Sequence, residues 1–155
     1  MGRREGPLKA AIESLNSEGI TAMFNTGDVR NFDDCKKVVD QTVAKFGRLD
    51  ILVNNAAGNF LAVAEDLSPK GFKTVMEIDT FGVFHMCHAS FEHLKKSGDS
   101  LIINISATLH YGATFWQSHA SAAKASIDRF FFSFSKLFNI FIFIYLFSLN
   151  LTTKL

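Results

Sequence analysis

The most constraining feature of this sequence is an apolar run that ends in a turn of small and amide residues. Leu49-Asp50-Ile51-Leu52-Val53 is followed directly by Asn54-Asn55-Ala56-Ala57-Gly58-Asn59-Phe60. Three consecutive apolar residues predict a strand covered on both faces, as in a parallel sheet. Residues with almost no side chain let a flat ligand approach the backbone where the strand ends, and the amides can lock the turn through hydrogen bonds. An ordinary polar loop is the alternative interpretation.

The composition excludes several classes of function. The chain has 155 residues, 48% of them hydrophobic, and a formal net charge of +1, so we expect a globular domain and no nucleic-acid partner. Cys35 and Cys87 match no metal or redox spacing, and we interpret them as reduced thiols of an intracellular protein. His85-x-x-His88 lacks the acidic or cysteine partners of a metal site. The N-terminus lacks the apolar core of a signal peptide.

Helical and strand patterns alternate along the chain. Apolar spacing and capping residues predict helices at residues 7–19, 33–46, 68–96 and from 121 onward. Short apolar runs predict strands at residues 20–24, 49–53 and 101–105. This alternation predicts an α/β fold, in which helices cover a parallel sheet.

Five short motifs lie in order between residues 3 and 128. They are Gly27-Asp28-Val29, the turn at 54–60, Ile78-Asp79-Thr80-Phe81-Gly82-Val83-Phe84, Asn104-Ile105-Ser106-Ala107-Thr108-Leu109 and Ser121-Ala122-Ala123-Lys124. Together they resemble the short-chain dehydrogenase/reductase family, and within it the peroxisomal-type 2,4-dienoyl-CoA reductases. The resemblance implies a Rossmann-type doubly wound parallel sheet, incomplete because its first two strands and its last strands are missing. It implies a partial dinucleotide-binding reductase domain at 1–128 and a Phe-rich apolar tail at 129–155, unrelated to the family.

Two departures from the common pattern narrow the resemblance. Most family members use a Tyr-x-x-x-Lys pair, but Ala120 stands four residues before Lys124. Ala107 stands at the place of the usual catalytic serine, one residue after Ser106. The peroxisomal-type dienoyl-CoA reductases share these absences and carry an aspartate, here Asp79, where relatives carry an asparagine. The resemblance implies NADPH-dependent reduction of 2,4-dienoyl-CoA to 3-enoyl-CoA in fatty-acid β-oxidation. Another short-chain enoyl-CoA reductase, or an inactive membrane-associated or interaction fragment, is the alternative.

The resemblance also implies roles at the reacting centre. Asp79 would supply or relay a proton through water, and Lys124 would hold the nicotinamide ribose and stabilise negative charge. A helix-packing aspartate and a surface lysine are the alternatives for these two residues. Tyr111 is a weaker candidate for a substitute proton donor, because it lies in a loop at an unmatched position. The substrate-binding residues that the resemblance implies are Asn59, Phe60 and Ser106.

The implied cofactor is NADPH rather than NADH. Arg3 and Arg4 stand where relatives place basic residues that pair with the adenosine 2′-phosphate, although a charged N-terminal tail is the alternative. The further cofactor-binding residues that the resemblance implies are Asp28, Val29, Asn55, Ala56, Gly58 and Lys124. No metal is implied, full-length relatives are expected to be homo-oligomers, and the implied location is the peroxisome. The chain end Thr153-Lys154-Leu155 is not a convincing Ser-Lys-Leu address.

Both ends of the chain are expected to depart from the family. The chain begins where the family's second strand ends, so we expect the glycine-rich phosphate turn to be absent. Roughly ten backbone groups without partners, at about 1–3 kcal/mol each, would rival a domain's stability. We therefore predict that the chain alone neither folds stably nor binds NADPH well. Eight of the 17 phenylalanines lie within 130–147, which indicates a retained intron or an erroneous gene structure. A membrane anchor over 130–151 is the alternative, weakened by Lys136 and Asn139.

Overall fold

The computed structural model describes residues 1–111, 115–138 and 141–147. The strands are β1 (Ile51–Asn54), β2 (Leu101–Ala107) and β3 (Phe141–Phe147), which form one parallel sheet in the order β1-β2-β3. The helices are α1 (Glu5–Ser17), α2 (Phe32–Phe46), α3 (Pro69–Met76), α4 (Gly82–Ser97) and α5 (Ser118–Phe138). A π-helical turn, Glu77–Phe81, joins α3 to α4, and a 3-10 turn, Thr108–His110, follows β2. The predicted α/β class with a parallel sheet is confirmed.

The core lies between β1, β2 and the two long helices. Leu52 and Ile102 are paired in the register of β1 and β2, and both side chains lie on the buried face of the sheet. They pack against apolar side chains of α4 and α5, which are Val83, Cys87, Leu94 and Ile127. Burial of such side chains is the main source of stability in this layer.

The predicted helix at 68–96 is confirmed, with one local change that matters for the site. Ser68 caps its start, because its hydroxyl oxygen accepts a hydrogen bond from the Gly71 N–H at 3.0 Å. The π turn interrupts the regular hydrogen bonding between α3 and α4, and such turns are frequent at functional sites. Asp79 lies in this turn and is only 1% exposed.

Two expectations for the strands were wrong. Residues 20–24 form no strand, and the nearest pairing is a single parallel bridge between Gly2 and Thr26, because no longer partner segment lies beside them in the described residues. β1 is not covered on both faces, since Ile51 and Val53 are 55% and 53% exposed while Leu52 is buried. The physical reason is that α4 and α5 cover one face of the sheet, whereas α1 has no buried residue and does not pack closely on the sheet.

The Phe-rich region contains a helix end and a strand. α5 runs to Phe138, across the predicted boundary at 128–129, and β3 adds a strand that the sequence did not predict. Its Phe, Ile and Tyr residues have strong strand propensity. Among the described helices, none is both long and apolar enough to cross a bilayer. Thr153-Lys154-Leu155 and Asn139 lie outside the described residues.

Candidate active site

A buried ion pair forms the centre of the candidate site. The Nζ of Lys124, on α5, lies 3.1 Å from the Oδ2 of Asp79 in the π turn. Lys124 is 8% exposed and Asp79 is 1% exposed. The other carboxylate oxygen of Asp79 accepts a hydrogen bond from the Gly58 N–H at 2.7 Å, and the ammonium group donates to the Ile105 carbonyl at 3.3 Å. The turn after β1, the end of β2, the π turn and α5 therefore converge on one pair of opposite charges.

This arrangement can hold and move a proton. Burial strengthens the attraction between the two charges, and the extra hydrogen bonds fix their geometry. A lysine ammonium group has three donors, and Asp79 and Ile105 use two of them. The sequence placed Asp79 and Lys124 in one site, and the structure brings them into direct contact.

Alanines stand at the two positions where the resemblance places a tyrosine and a serine. Ala120 and Ala107 are both buried, and because they are alanines each contributes only a methyl group. The hydroxyl of Ser106 is buried and has no hydrogen-bond partner among the described residues. Tyr111 is 67% exposed on the turn after β2. Asp79 and Lys124 are thus the charged groups that the described residues bring together here.

The predicted substrate residues Asn59 and Phe60 lie beside the start of α5. The side-chain amide of Asn59 donates to the Gln117 side-chain carbonyl at 2.6 Å. The ring of Phe60 stacks on His119, with centroids 4.5 Å apart. Gln117 and His119 were not among the predicted site residues. Their signal is a short polar run, Gln117-Ser118-His119, directly before the small residues of α5.

Most of the predicted cofactor residues line two clefts. A cleft of about 230 Å³ is lined by Arg3, Asp28, Val29 and Ala56, together with the small residues Gly27 and Ala57. A second cleft, of about 250 Å³, is lined by Asn55, Ala56 and Val29. The two clefts share Val29 and Ala56, so they form neighbouring parts of one depression beside β1. Small residues here let a flat ligand lie against the backbone, as the sequence indicated.

Other predicted cofactor residues are placed differently. Arg4 precedes α1 and lines neither cleft. Gly58 also lines neither cleft, and instead its N–H donates a hydrogen bond to Asp79.

Arg30 binds the carboxylate of Asp28 through two nitrogens, which lowers the pKa of Asp28. Asp28 is therefore fixed as a carboxylate at the wall of the first cleft.

The histidine pair on α4 has structural contacts. The Nδ1 of His85 lies 2.9 Å from the Val29 carbonyl oxygen, and the rings of His85 and His88 pack edge-on against Phe32. No group of three metal-ligating side chains occurs within the described ranges. Cys35 and Cys87 are free and buried.

Comparison with known proteins agrees with these features. The sequence model of the short chain dehydrogenase family matches residues 1–139. The peroxisomal 2,4-dienoyl-CoA reductase of Arabidopsis thaliana is 56% identical over 136 residues, covering 83% of this chain and 46% of the relative. The enzyme of the same name from Danio rerio is 50% identical over 120 residues, covering 77% of this chain and 40% of the relative. The chain thus spans about half the length of the curated relatives it matches.

Solved structures support the fold. A short chain dehydrogenase from Bacillus anthracis is 34% identical and superposes with a TM-score of 0.76, covering 90% of this chain and 60% of that one. A short chain dehydrogenase from Mycobacterium smegmatis superposes with a TM-score of 0.85 at 25% identity, covering 94% of this chain and 62% of that one.

Proposed function

The chain belongs to the short-chain dehydrogenase family, and from this premise we propose that it forms part of an NADPH-dependent reductase that converts 2,4-dienoyl-CoA into 3-enoyl-CoA. The observation that carries the proposal is the buried contact of 3.1 Å between Lys124 and Asp79, with Ala120 in place of a tyrosine. The Arabidopsis thaliana and Danio rerio relatives are both named as (3E)-enoyl-CoA-producing peroxisomal 2,4-dienoyl-CoA reductases, which supports this substrate class and a peroxisomal location.

The reaction can do without a phenol because its proton goes to carbon. NADPH, when bound, supplies a hydride to the far end of the conjugated thioester, and negative charge then spreads to the thioester oxygen. Lys124 stabilises that charge through its ammonium group. The Asp79 carboxylate holds a water molecule that gives a proton to carbon, and the hydroxide left from that water takes a proton from solvent. The Gly58 N–H and the Lys124 ammonium hold the carboxylate in place between turnovers.

The residues around the clefts fit part of a dinucleotide. Gly27, Ala56 and Ala57 offer bare backbone to a flat ring, and Arg3 offers a guanidinium that can pair with a 2′-phosphate. Asp28 and Val29 would flank the adenine, Asn55 would line the path of the ribose and nicotinamide, and Lys124 would hold the nicotinamide ribose. Arg4 lies close to Arg3 in sequence and would add positive charge beside the same phosphate. The family uses a nicotinamide cofactor, and the choice of NADPH is part of this proposal.

The acyl chain would lie along Asn59 and Phe60. Phe60 is 42% exposed, so its ring offers apolar surface to a ligand while its other face rests on His119. The buried hydroxyl of Ser106 would bond the substrate or order a water molecule beside it. We further propose a homo-oligomeric assembly for the whole reductase.

The test compares catalysis by the parent chain with that of Asp79→Asn. Since the chain spans about half of its relatives, we would join residues 1–139 to the flanking segments of the Arabidopsis thaliana relative. This protein is called the completed chain below. NADPH oxidation is measured with a 2,4-dienoyl-CoA and with a trans-2-enoyl-CoA. We expect turnover of the dienoyl-CoA to a 3-enoyl-CoA, and a loss of about 10²–10⁴-fold in kcat for Asp79→Asn.

Two results would contradict the proposal. Faster turnover of the trans-2-enoyl-CoA would favour a different enoyl-CoA reductase. Full activity in Asp79→Asn would show that Asp79 has only a packing role.

A further inference from the structure

Two loops beside the candidate site are joined by four contacts. One loop contains residues 59–62, and the other segment contains residues 116–119, of which the last two begin α5. Two side-chain contacts are those of Asn59 with Gln117 and of the Phe60 ring with His119. In addition, the Nε2 of His119 lies 3.0 Å from the Phe60 carbonyl oxygen, and the Ala62 N–H donates to the Trp116 carbonyl at 3.0 Å. We call these two loops and their contacts the loop clamp.

His119 makes two of these contacts at once. It is 0% exposed, so it acts from within the structure rather than from the surface. A carbonyl oxygen can only accept, and therefore Nε2 carries the proton and donates to Phe60. The ring also supports the Phe60 ring at an interplanar angle of 29°. A phenylalanine could supply only the stacking, and a glutamine only the hydrogen bond.

Two buried or strained features show that the clamp is held at a cost. The Nδ1 of His119 is buried with no hydrogen-bond partner among the described residues, and such atoms are rare in folded proteins. Trp116 has a φ of 62°, a conformation that bulky residues seldom adopt. Strained backbone of this kind persists where surrounding contacts fix it, and it clusters at ligand sites.

We propose that Gln117 and His119 are positioning residues that fix Asn59 and Phe60 as one wall of the acyl site. The inference rests on the proposed function for the identity of the ligand. Gln117 is 3% exposed and holds the amide of Asn59, while His119 fixes both the backbone and the ring of Phe60. Phe60 is 42% exposed, and the tip of its ring approaches Gly71 while His119 supports its face. The residues just before Lys124 thus act on the substrate wall, beside Ala120, which stands where most short-chain dehydrogenases have a catalytic tyrosine.

The test uses His119→Ala, His119→Phe, His119→Gln and Gln117→Ala in the completed chain, with 2,4-hexadienoyl-CoA as the substrate. His119→Ala should raise the KM for this thioester by about 10-fold to 100-fold, because a small displacement of a positioning group has large effects. The KM for NADPH should stay within about twofold, since the cofactor clefts are elsewhere. His119→Phe and His119→Gln should each show a smaller rise, because each keeps one of the two contacts. Gln117→Ala should also show a smaller rise. His93→Gln, on the far part of α4, is the matched control and should change neither KM.

A second measurement separates this inference from the proposed function. Hydrogen exchange of the amides at 60–62 should become about tenfold faster or more in His119→Ala, with exchange in α2 unchanged. It is measured in the 155-residue chain and in the completed chain, and the completed chain decides if the shorter one is unfolded. Unchanged exchange at 60–62 would overturn the clamp, whatever the activity.

The remaining outcomes would contradict either the acyl role or the proposed function. Faster exchange with an unchanged thioester KM would overturn the acyl role, as would an equal rise in both KM values. A completed chain without substitutions that neither reduces nor binds 2,4-hexadienoyl-CoA would overturn the proposed function and, with it, the acyl role.

Discussion

The central layer and the N-terminal segment of this chain differ sharply in how they are held. The central layer consists of β1, β2, α4 and α5, and it contains fully buried side chains such as Leu94 and Ile102. The N-terminal segment, residues 1–30, contains α1, which has no buried residue, and Ile20, which is 47% exposed. The first region has its own core, whereas the second is tied on through a few contacts.

The contrast follows the proposed division of labour at the site. Asp79 and Lys124 belong to the central layer, and their contacts come from elements that pack on one another. Asp28 and Val29 belong to the N-terminal segment and reach the central layer mainly at two points. The Val29 carbonyl meets His85, and the Val29 side chain meets Gly82. Under the proposed function, proton transfer therefore takes place in the more stable region, and cofactor binding depends on the less stable one.

The largest expected effect comes from breaking the ion pair inside the central layer. Lys124→Met keeps most of the length of the side chain but leaves the Asp79 carboxylate buried without its cation. We expect a loss of about 3–5 kcal/mol in the free energy of unfolding, measured by urea denaturation of the completed chain.

The matched control breaks an exposed ion pair. Lys36 lies 2.9 Å from Asp40 on α2, and both side chains are at least half exposed. Lys36→Met should cost only about 0.3–0.5 kcal/mol. Similar losses for Lys36→Met and Lys124→Met would remove the distinction between the central layer and the surface.

The next effect concerns the joint between the two regions. A Cβ added at Gly82 would lie 2.7 Å from the Cγ2 of Val29 and 3.0 Å from its Cβ, so Val29 must move. We expect Gly82→Ala to cost about 1–3 kcal/mol in unfolding free energy. It should also weaken NADPH binding by the completed chain, measured by calorimetry, because Asp28 moves with Val29.

Gly6 provides the control for this substitution. It lies in α1, and a Cβ there would meet nothing within 4 Å. Gly6→Ala should stabilise the chain by about 0.5–1 kcal/mol or leave it unchanged. An equal cost at both glycines would contradict the idea that the close approach of Val29 matters.

The sequence predicted the central layer better than the N-terminal segment. The apolar run at 101–105, the Ser68 cap and the apolar spacing of the helices depend on local chemistry, and the structure has these elements. The strand predicted at 20–24 does not form, because a strand also needs a partner of matching length and sequence periodicity gives no information about that partner. The prediction that Ile51 and Val53 are buried was wrong for a similar reason, since their burial would require a helix over that face of β1.

The site shows the same limit at the level of single residues. Asp79 and Lys124 were predicted as site residues from motifs, and their contact follows from the fold that the motifs imply. The π turn that carries Asp79 has no sequence signal of its own, because it depends on how α3 and α4 join. Gln117 and His119 were missed because their importance comes from contacts with residues almost sixty positions away.

The smallest expected effect would compare the opening of the two regions through two buried thiols. Cys35 lies on α2 beside the N-terminal segment, and Cys87 lies on α4 in the central layer. The Sγ of Cys35 lies 3.5 Å from the Val29 carbonyl, and Cys87 lies in the core beside Asn54. Burial, with a smaller contribution from Asp34, raises the pKa of Cys35 to about 11, and burial raises the pKa of Cys87 to about 12. A raised thiol pKa favours the protonated folded state. Its stabilisation is therefore complete below the ordinary pKa of 9.0 and is lost as pH rises through the folded values.

Alkylation near pH 8 then requires local opening, because the thiolate forms easily only in the open state. We expect iodoacetamide to label Cys35 about tenfold faster than Cys87, measured by peptide mass spectrometry on the completed chain, because the N-terminal segment opens with less loss of buried surface. Gly82→Ala should speed labelling of Cys35 without a similar change at Cys87, since it loosens only the joint at Val29. Equal labelling rates in the parent chain would mean that both thiols become accessible only through global unfolding. In that case the N-terminal segment would be as firmly held as the central layer, and a weak cofactor site could not be attributed to it.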